Sequence, residues 1–177
     1  MKFEASLDTL AKVASMTIVV VDIVLGLLAF KDYLGGHETA SIRLEFLTPF
    51  LALGGISLLC FLFAPISYTL TEKELIINRP LLSRKVDLTE LIRIRKVSKE
   101  EMSGTIRTLG VGGLFGYYGK FANDLFGEMN YYVTQRKNYL VLITKEKDVL
   151  VLSPNDETLF DRLNEITNHN TNYKNRA

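Results

Sequence analysis

The chain has few of the residues from which metal centres and disulfides are built. It contains one cysteine, Cys60, and two histidines, His37 and His169, which are far apart. A single cysteine cannot form an internal disulfide, and the spacing of these three residues is not typical of a zinc or haem site. We therefore expect no metal site and no cofactor.

An excess of charge of either sign is also missing. The chain has 21 Lys and Arg residues against 20 Asp and Glu residues, a formal net charge of +1. Nucleic-acid-binding domains usually carry a strongly basic surface, so we expect no nucleic-acid partner. No arrangement of Ser, His and Asp indicates a catalytic site. The protein is therefore not expected to be an enzyme, and no small-molecule substrate is indicated.

Two long apolar runs are present. Residues 13–30 contain one charge, Asp22, and residues 46–71 contain none. A helix needs about 20 apolar residues to cross a hydrocarbon core of about 30 Å. The runs predict a two-helix transmembrane hairpin in residues 1–67. Its helices are expected at about residues 12–30 and 46–66.

The first run has two interpretations. It follows Lys2 and Lys12 closely, as the apolar part of a signal peptide does. However, Asp22 interrupts it, and no Ala-x-Ala-like cleavage site follows Phe30. An Asp at mid-helix raises the free energy of membrane insertion by about 2.5–3.5 kcal/mol, whereas each Val, Ile, Leu or Phe lowers it by about 0.3–0.6 kcal/mol. Eleven such residues lie in the run, so an uncleaved transmembrane helix is favoured.

The basic residues near the apolar runs predict an orientation. The segment between the runs has two basic residues, whereas the outer flanks have six. Lys and Arg are enriched on the cytoplasmic side of membrane helices. We therefore expect a multi-pass protein of the cell (plasma) membrane with both termini in the cytoplasm. The six flanking residues are Lys2, Lys12, Lys73, Arg79, Arg84 and Lys85.

Asp22 is the most unusual residue of the apolar runs. Ionisable side chains within a membrane usually face a partner or a cavity. Asp22 falls at about the depth of Ser57, and Gly26, Gly54 and Gly55 allow close contact between helices. These five residues predict a site of helix pairing or self-association within the membrane. Ion or proton passage is the alternative interpretation.

Beyond residue 67 the pattern changes to short strands. Seven runs rich in Val, Leu, Ile and Tyr are separated by polar turns. The final segment, "SPNDETLFDRLNEI", predicts an amphipathic helix with Ser153 as N-cap and Pro154 at the first helical position. Its apolar face must be buried against a sheet. We predict a membrane-anchored α+β protein whose domain, residues 68–168, is a β-sandwich or barrel with a capping helix. Residues 169–177 are predicted to be a flexible tail.

The stretch "RTLGVGGLFGYYGKF", residues 107–121, holds five glycines. It does not fit Gly-x-x-x-x-Gly-Lys-Ser/Thr, because position 114 is Leu and position 121 is Phe. Nor does it contain Gly-x-Gly-x-x-Gly, so no phosphate loop is predicted. The glycines are expected to set an unusual backbone path. The neighbouring side chains are a candidate interaction surface if exposed, and part of the core if buried. They are Phe115, Tyr117, Tyr118, Lys120 and Phe121.

The order of three motifs resembles a family of bacterial pleckstrin-homology (PH) domains that is often attached to membrane helices. The motifs are "RTLGVGGLFGYYGKF", "LFGEMNYYVTQ" and "LVLSPNDETLFDRL", and the resemblance covers about residues 68–166. It implies a PH-like fold of about seven strands closed by a C-terminal helix. It also implies a non-catalytic role, with no defined biochemical function.

Basic residues are concentrated in the first half of the domain. Near an anionic membrane surface, each contributes about 1 kcal/mol of attraction, although a solvated strand face is at least as good an interpretation. Phosphoinositide-binding PH domains have a basic cluster at their first hairpin, whereas this turn is "TEKE", so their lipid site does not carry over. The candidate headgroup contacts are Arg79, Arg84, Lys85, Arg93, Arg95 and Lys96.

The sequence thus predicts a non-catalytic membrane protein. Its PH-like domain is expected to bind a protein partner, or a second copy of the chain, at the cytoplasmic face of the bilayer. The alternatives are a sensor of anionic lipid headgroups and an accessory subunit of a membrane transport complex that uses Asp22.

Overall fold

The computed structural model describes residues 1–35 and 40–174, and His37 lies outside them. The described chain contains three α-helices. They are α1 (Thr9–Leu34), α2 (Ala40–Phe63) and α3 (Thr158–Lys174).

Ten strands of the described residues form two sheets. The strands are β1 (Lys2–Glu4), β2 (Ser67–Leu70), β3 (Glu74–Asn78), β4 (Arg84–Asp87), β5 (Leu91–Val97), β6 (Ile106–Gly112), β7 (Tyr117–Asn123), β8 (Gly127–Val133), β9 (Tyr139–Thr144) and β10 (Val149–Leu152). In the first sheet the order is β1-β2-β3-β4, and in the second it is β5-β9-β10-β8-β7-β6. Strands β8 and β10 pair in parallel, while the other neighbours pair antiparallel.

Strand β1 comes from the N-terminus, ahead of both long helices. Phe3 lies opposite Tyr68 in the antiparallel pair β1–β2, and the Leu70 backbone N donates to the Met1 carbonyl at 2.8 Å. The helices α1 and α2 are therefore inserted between two neighbouring strands of one sheet. The predicted division at residue 67 left this strand out, because three residues with one buried side chain have too little periodicity to be recognised.

The glycine-rich stretch forms two further strands. The sequence predicts about seven strands after the second apolar run, whereas the described structure has nine, β2 to β10. The additional pair is β6 and β7, which form an antiparallel hairpin. Glycine is depleted in strands, so the five glycines of this stretch gave no strand signal in the sequence.

Helix α3 closes the domain as expected, but it begins later. Leu159 and Leu163 are fully buried in the core, and the helix packs against β5. Its first residue is Thr158, whose backbone N donates to Asp156 Oδ1 at 2.9 Å. Ser153 is not the N-cap. Its buried Oγ instead accepts from the Thr134 backbone N at 2.8 Å. The helix also continues to Lys174, into the predicted tail.

Tyr68 joins the two sheets at the centre of the core. Its hydroxyl donates to the Tyr132 carbonyl at 2.6 Å and accepts from the Ser153 backbone N at 3.2 Å. The side chain is completely buried, and this burial raises the pKa of Tyr68 to about 12. A buried hydroxyl with both hydrogen bonds satisfied fixes the relative position of the sheets.

One described helix is long and apolar enough to cross a membrane. It is the segment Thr9–Lys31 of α1, with 23 residues and a mean hydropathy of 2.5. The described apolar segment of α2, Leu47–Phe63, is shorter than that criterion requires. The two helices pack along each other.

Candidate functional site

The glycines of the β6–β7 hairpin allow an unusually close strand pair. Gly110 lies opposite Gly119 in the register, with φ angles of 140° and 111°. A methyl group added to Gly110 would lie 2.3 Å from the Tyr118 carbonyl oxygen, and one added to Gly119 would lie 2.5 Å from that of Leu109. No larger residue fits either position without a backbone shift. The expectation that the glycines set the backbone path agrees with this geometry.

The tip of the hairpin, residues 113–116, contacts both long helices. The Phe115 backbone N donates to Ser15 Oγ of α1 at 2.8 Å, and the same Oγ donates to the Ala11 carbonyl at 2.7 Å. The ring of Phe115 meets Phe61 of α2 edge to face, with 5.5 Å between centroids. The hairpin tip is thus held between the N-terminal end of α1 and the C-terminal end of α2.

The next aromatic residue extends this contact. The Tyr118 hydroxyl donates to the Cys60 carbonyl of α2, which lies in the last turn of the helix, where carbonyl groups have no intrahelical donor. Burial, together with the contact to Cys60, raises the pKa of the Tyr118 hydroxyl above its ordinary value of 10.0. The phenol therefore stays protonated and remains a hydrogen-bond donor to α2.

Asp8 joins the hairpin to the start of α1. Its Oδ1 accepts from the Ala11 backbone N at 2.8 Å, as an N-cap does. The same carboxylate accepts from the Tyr117 hydroxyl at 3.2 Å and forms an ion pair with Arg136 Nε at 3.0 Å. Asp8 also uses its backbone N, which donates to the Thr134 carbonyl at 3.0 Å. One residue therefore connects α1, β7 and the β8–β9 turn.

The titration of this cluster reflects its geometry. Burial opposes ionisation of Asp8, but the hydrogen bonds from Ala11, Arg136 and Tyr117 outweigh it, so the pKa of Asp8 lies below its usual 3.8. Burial and the nearby carboxylate of Asp8 raise the pKa of Tyr117 to about 12. At neutral pH the carboxylate is charged and the phenol is neutral, which is the pairing that the hydrogen bonds require.

The predicted interaction surface at this stretch is turned inward. Tyr117, Tyr118 and Phe121 are buried, and Phe115 is half-buried against α2. Phe121 stacks on Tyr131 at 4.3 Å between centroids. Lys120 remains exposed and forms an ion pair with Glu128 at 2.6 Å. These five side chains do not form one exposed patch, because the aromatic residues among them pack within the chain.

The six basic candidates for headgroup contact do not form one cluster. Four of them form ion pairs with carboxylates, and Arg79 lies near the rings of Phe63 and Tyr132. Arg93 is exposed on β5. The residues are spread over both sheets, and their charge is partly neutralised locally. The pairs are Arg84–Asp148, Lys85–Glu74, Arg95–Glu101 and Lys96–Glu157.

The intramembrane candidates are brought together by the pairing of α1 and α2. The Asp22 carboxylate faces Gly54, and a methyl group added to Gly54 would lie 3.0 Å from Asp22 Oδ2. Gly26 faces the ring of Phe50, and a methyl group added to Gly26 would lie 2.9 Å from the ring atom Cε2. Within the described residues, Asp22 Oδ1 and Ser57 Oγ are buried without a hydrogen-bond partner. Gly55 has open space around it and takes no part in this contact.

Strand β6 is an exposed feature whose side chains were not among the predicted site residues. It lies at one end of the second sheet, and its side chains are exposed on both faces over most of its length. Leu109 is 71 % exposed, and Ile106 is also exposed. Among residues 1–35 and 40–174, β7 is the one strand that pairs with β6, so the outer edge is free for another strand.

Comparison with known proteins identifies the domain. No curated protein and no solved structure matches the chain. The family model described as a bacterial PH domain matches residues 66–166, which is the region from the end of α2 to the middle of α3. This match covers more than half of the chain, and the chain belongs to the bacterial PH domain family.

Proposed function

We propose that this chain is a non-catalytic integral membrane protein in which α1 and α2 both cross the bilayer. The support comes from the sheet: β1 precedes α1, β2 follows α2, and the two strands pair. If α1 crosses a membrane, the chain must cross back before Ser67, because β1 and β2 belong to one sheet. Helix α2 is the segment available for the return.

The orientation follows from the basic flanks. The PH domain and the N-terminus lie on one side, which we assign to the cytoplasm because that side holds most of the flanking Lys and Arg residues. A protease added to sealed vesicles of known orientation tests this assignment. Cleavage near Lys174 in inside-out vesicles, with protection in right-side-out vesicles, is the expected result.

We further propose that the domain binds a protein strand at the free edge of β6, and that the first partner to test is a second copy of the chain. The main support is that the outer edge of β6 is unpaired in the described structure and that its side chains Leu109 and Ile106 are exposed. Such edges are templates for strand addition. Two copies meeting through the same edge would form a symmetric antiparallel pair.

Cysteine crosslinking in vesicles tests this pairing. In a Cys60→Ser background, Leu109→Cys should give a covalent dimer with a short bismaleimide. Leu125→Cys is the matched control, since Leu125 is 56 % exposed in the β7–β8 turn. The single variant Leu109→Lys should be monomeric, as measured by its molar mass in light scattering. A monomeric chain before mutation would reject self-association and leave a different protein as the occupant of this edge.

A second candidate function rests on the polar atoms between the membrane helices. Asp22 Oδ1 and Ser57 Oγ have no partner in the described structure, and an unpaired polar group in hydrocarbon is costly. Because both atoms are buried, a further helix, from another copy or from a transport complex, would have to loosen the packing of α1 against α2 to supply such a partner. Ion flux through the reconstituted protein that is abolished by Asp22→Asn would favour transport over assembly alone.

The lipid-sensor alternative has weaker support. Four of the six candidate basic residues are already paired with carboxylates, so a headgroup would have to compete with those pairs. Arg93 offers the clearest test, because it is exposed on β5. Added anionic lipid should shift the melting temperature of the detergent-solubilised chain and of its Arg93→Gln variant equally if Arg93 is not a headgroup contact.

A further inference from the structure

The turn between β3 and β4 contacts the last turn of α2. In this turn, here called the base loop (residues 79–83), the Leu81 backbone N donates to the Leu62 carbonyl at 2.8 Å. The Arg79 guanidinium lies 5.9 Å from the centroid of the Phe63 ring. The base loop is therefore held at the level where α2 ends.

The base loop presents apolar side chains outward at this level. Leu82 is 69 % exposed, and Leu81 is also exposed. Leu82 has a φ of 57°, a conformation that a leucine seldom adopts. Ile66, three residues after the end of α2, is exposed too, and its backbone N donates to the Asn78 carbonyl at 2.9 Å beside the loop. Three large apolar side chains near the end of α2 are thus left 41–69 % exposed by the described residues.

The length of α2 indicates where the hydrocarbon boundary of the membrane lies relative to these side chains. Glu45 is the last charged residue before the apolar run, and 18 residues separate it from the end of the helix at Phe63. At 1.5 Å per residue this segment spans about 27 Å, which is slightly less than the hydrocarbon thickness of about 30 Å. A short helix draws its flanking residues toward the membrane. The boundary of the hydrocarbon therefore falls at or just beyond Phe63, at the level of the base loop.

We infer that the base loop is a second membrane contact, in which Leu81 and Leu82 enter the interfacial zone of the bilayer beside the end of α2. The inference rests on the proposed crossing of the membrane by α1 and α2. Arg79 lies at the same level, where its guanidinium donates to the Leu82 carbonyl and lies near the rings of Phe63 and Tyr132. It therefore holds a positive charge at about the depth of the lipid phosphates. Since the loop is continuous with β3 and β4, this contact sets the tilt of the first sheet against the membrane plane.

Tryptophan fluorescence tests the depth of the loop, because the chain contains no tryptophan. Three single variants of the full chain are reconstituted in phosphatidylcholine vesicles: Leu82→Trp in the base loop, Val24→Trp on the exposed face of α1, and Leu125→Trp in the β7–β8 turn. Leu125 is a matched control, since it is an exposed leucine in a turn. Strand β7 separates it from the hairpin tip on the helices by about 20 Å. Leu81→Trp replaces Leu82→Trp if that variant does not fold.

Lipids brominated near the headgroup or deep in the acyl chain then quench each tryptophan according to its depth. We expect a blue-shifted emission from Leu82→Trp that shallow bromines quench most strongly, consistent with a depth of about 5–10 Å. Val24→Trp should be quenched by deep bromines, and Leu125→Trp by neither.

The other outcomes separate this inference from the proposed function. Quenching of Val24→Trp without quenching at residue 81 or 82 would overturn the base-loop contact and leave the membrane crossing intact. An unquenched Val24→Trp would reject the crossing, and the inference with it. Equal quenching of Leu82→Trp and Leu125→Trp would mean that the whole domain lies on the bilayer, which contradicts a contact specific to the base loop.

Discussion

Replacement of Asp8 tests whether the hairpin is fastened to α1 as the structure indicates. Asp8→Ala removes the N-cap of α1, which costs about 1 kcal/mol. The ion pair with Arg136, which is half exposed, contributes about 0.5 kcal/mol. The buried hydroxyl of Tyr117 loses its acceptor, at a cost of about 1 kcal/mol or more. The free energy of unfolding should therefore fall by about 2–3 kcal/mol.

Thermal unfolding followed by circular dichroism in mild detergent measures this loss. For a chain of this size, each kcal/mol lowers the melting temperature by about 2–4 °C, so Asp8→Ala should melt about 5–10 °C below the unchanged protein. Asp8→Asn should lose much less, since asparagine is an equally good N-cap and its side-chain oxygen still accepts from Tyr117. Asp124→Ala, an exposed aspartate in the β7–β8 turn, is the control and should stay within about 0.5 kcal/mol of the unchanged protein.

The pH dependence provides an independent check on the same carboxylate. The folded-state pKa of Asp8 lies below the ordinary value of 3.8. Its contribution to stability is therefore fully present above that value and is lost as the pH falls through the folded-state pKa. The difference in melting temperature between the unchanged protein and Asp8→Asn should shrink in this acidic range. If Asp8→Ala melts no lower than Asp124→Ala at neutral pH, the assignment of Asp8 as the fastening residue is wrong.

Three further predictions concern other parts of the fold. Gly119→Ala should destabilise the chain by more than Gly104→Ala in thermal unfolding, because the added methyl group would meet backbone at Gly119 and open space at Gly104. Tyr68→Phe should lower the free energy of unfolding by about 1–3 kcal/mol, since it leaves the Ser153 backbone N without that acceptor, and urea denaturation in detergent measures the change. Asp22→Leu should change the oligomeric state in mild detergent, as measured by light scattering, and an unchanged oligomer would mean that Asp22 acts only within the hairpin of α1 and α2.

The sequence predicted those parts of the fold that have strong periodicity. The long apolar runs correspond to α1 and α2, and the predicted short apolar runs beyond residue 67 correspond to strands. Helix α3 was recognised from the spacing of Leu159 and Leu163, which are both fully buried. The predicted start of α3 was wrong because Ser153 fits the sequence rules for an N-cap, but its hydroxyl accepts a hydrogen bond from the Thr134 backbone N just after β8.

The candidate site was harder to predict, since its contacts join distant parts of the chain. Ser15 and Phe115 are 100 residues apart, and Asp8 and Arg136 are 128 apart. No local pattern shows that a glycine-rich hairpin will fold back on helices that precede it. Asp8 did carry one local signal, because an aspartate directly before an apolar helix is a good N-cap. Its contacts with Tyr117 and Arg136 had no such signal.

The connections between helices and sheet determine how the domain can move. Four residues separate β1 from α1, and three separate α2 from β2, so neither connector spans more than about 15 Å when extended. Two short connectors entering neighbouring strands prevent the domain from swinging as it would on a flexible linker. The hairpin contacts at Ser15 and Phe61 add a third point of attachment. A change in the packing of α1 against α2 is therefore expected to move the β6–β7 hairpin, and with it the exposed edge of β6 at which we propose that a partner strand binds.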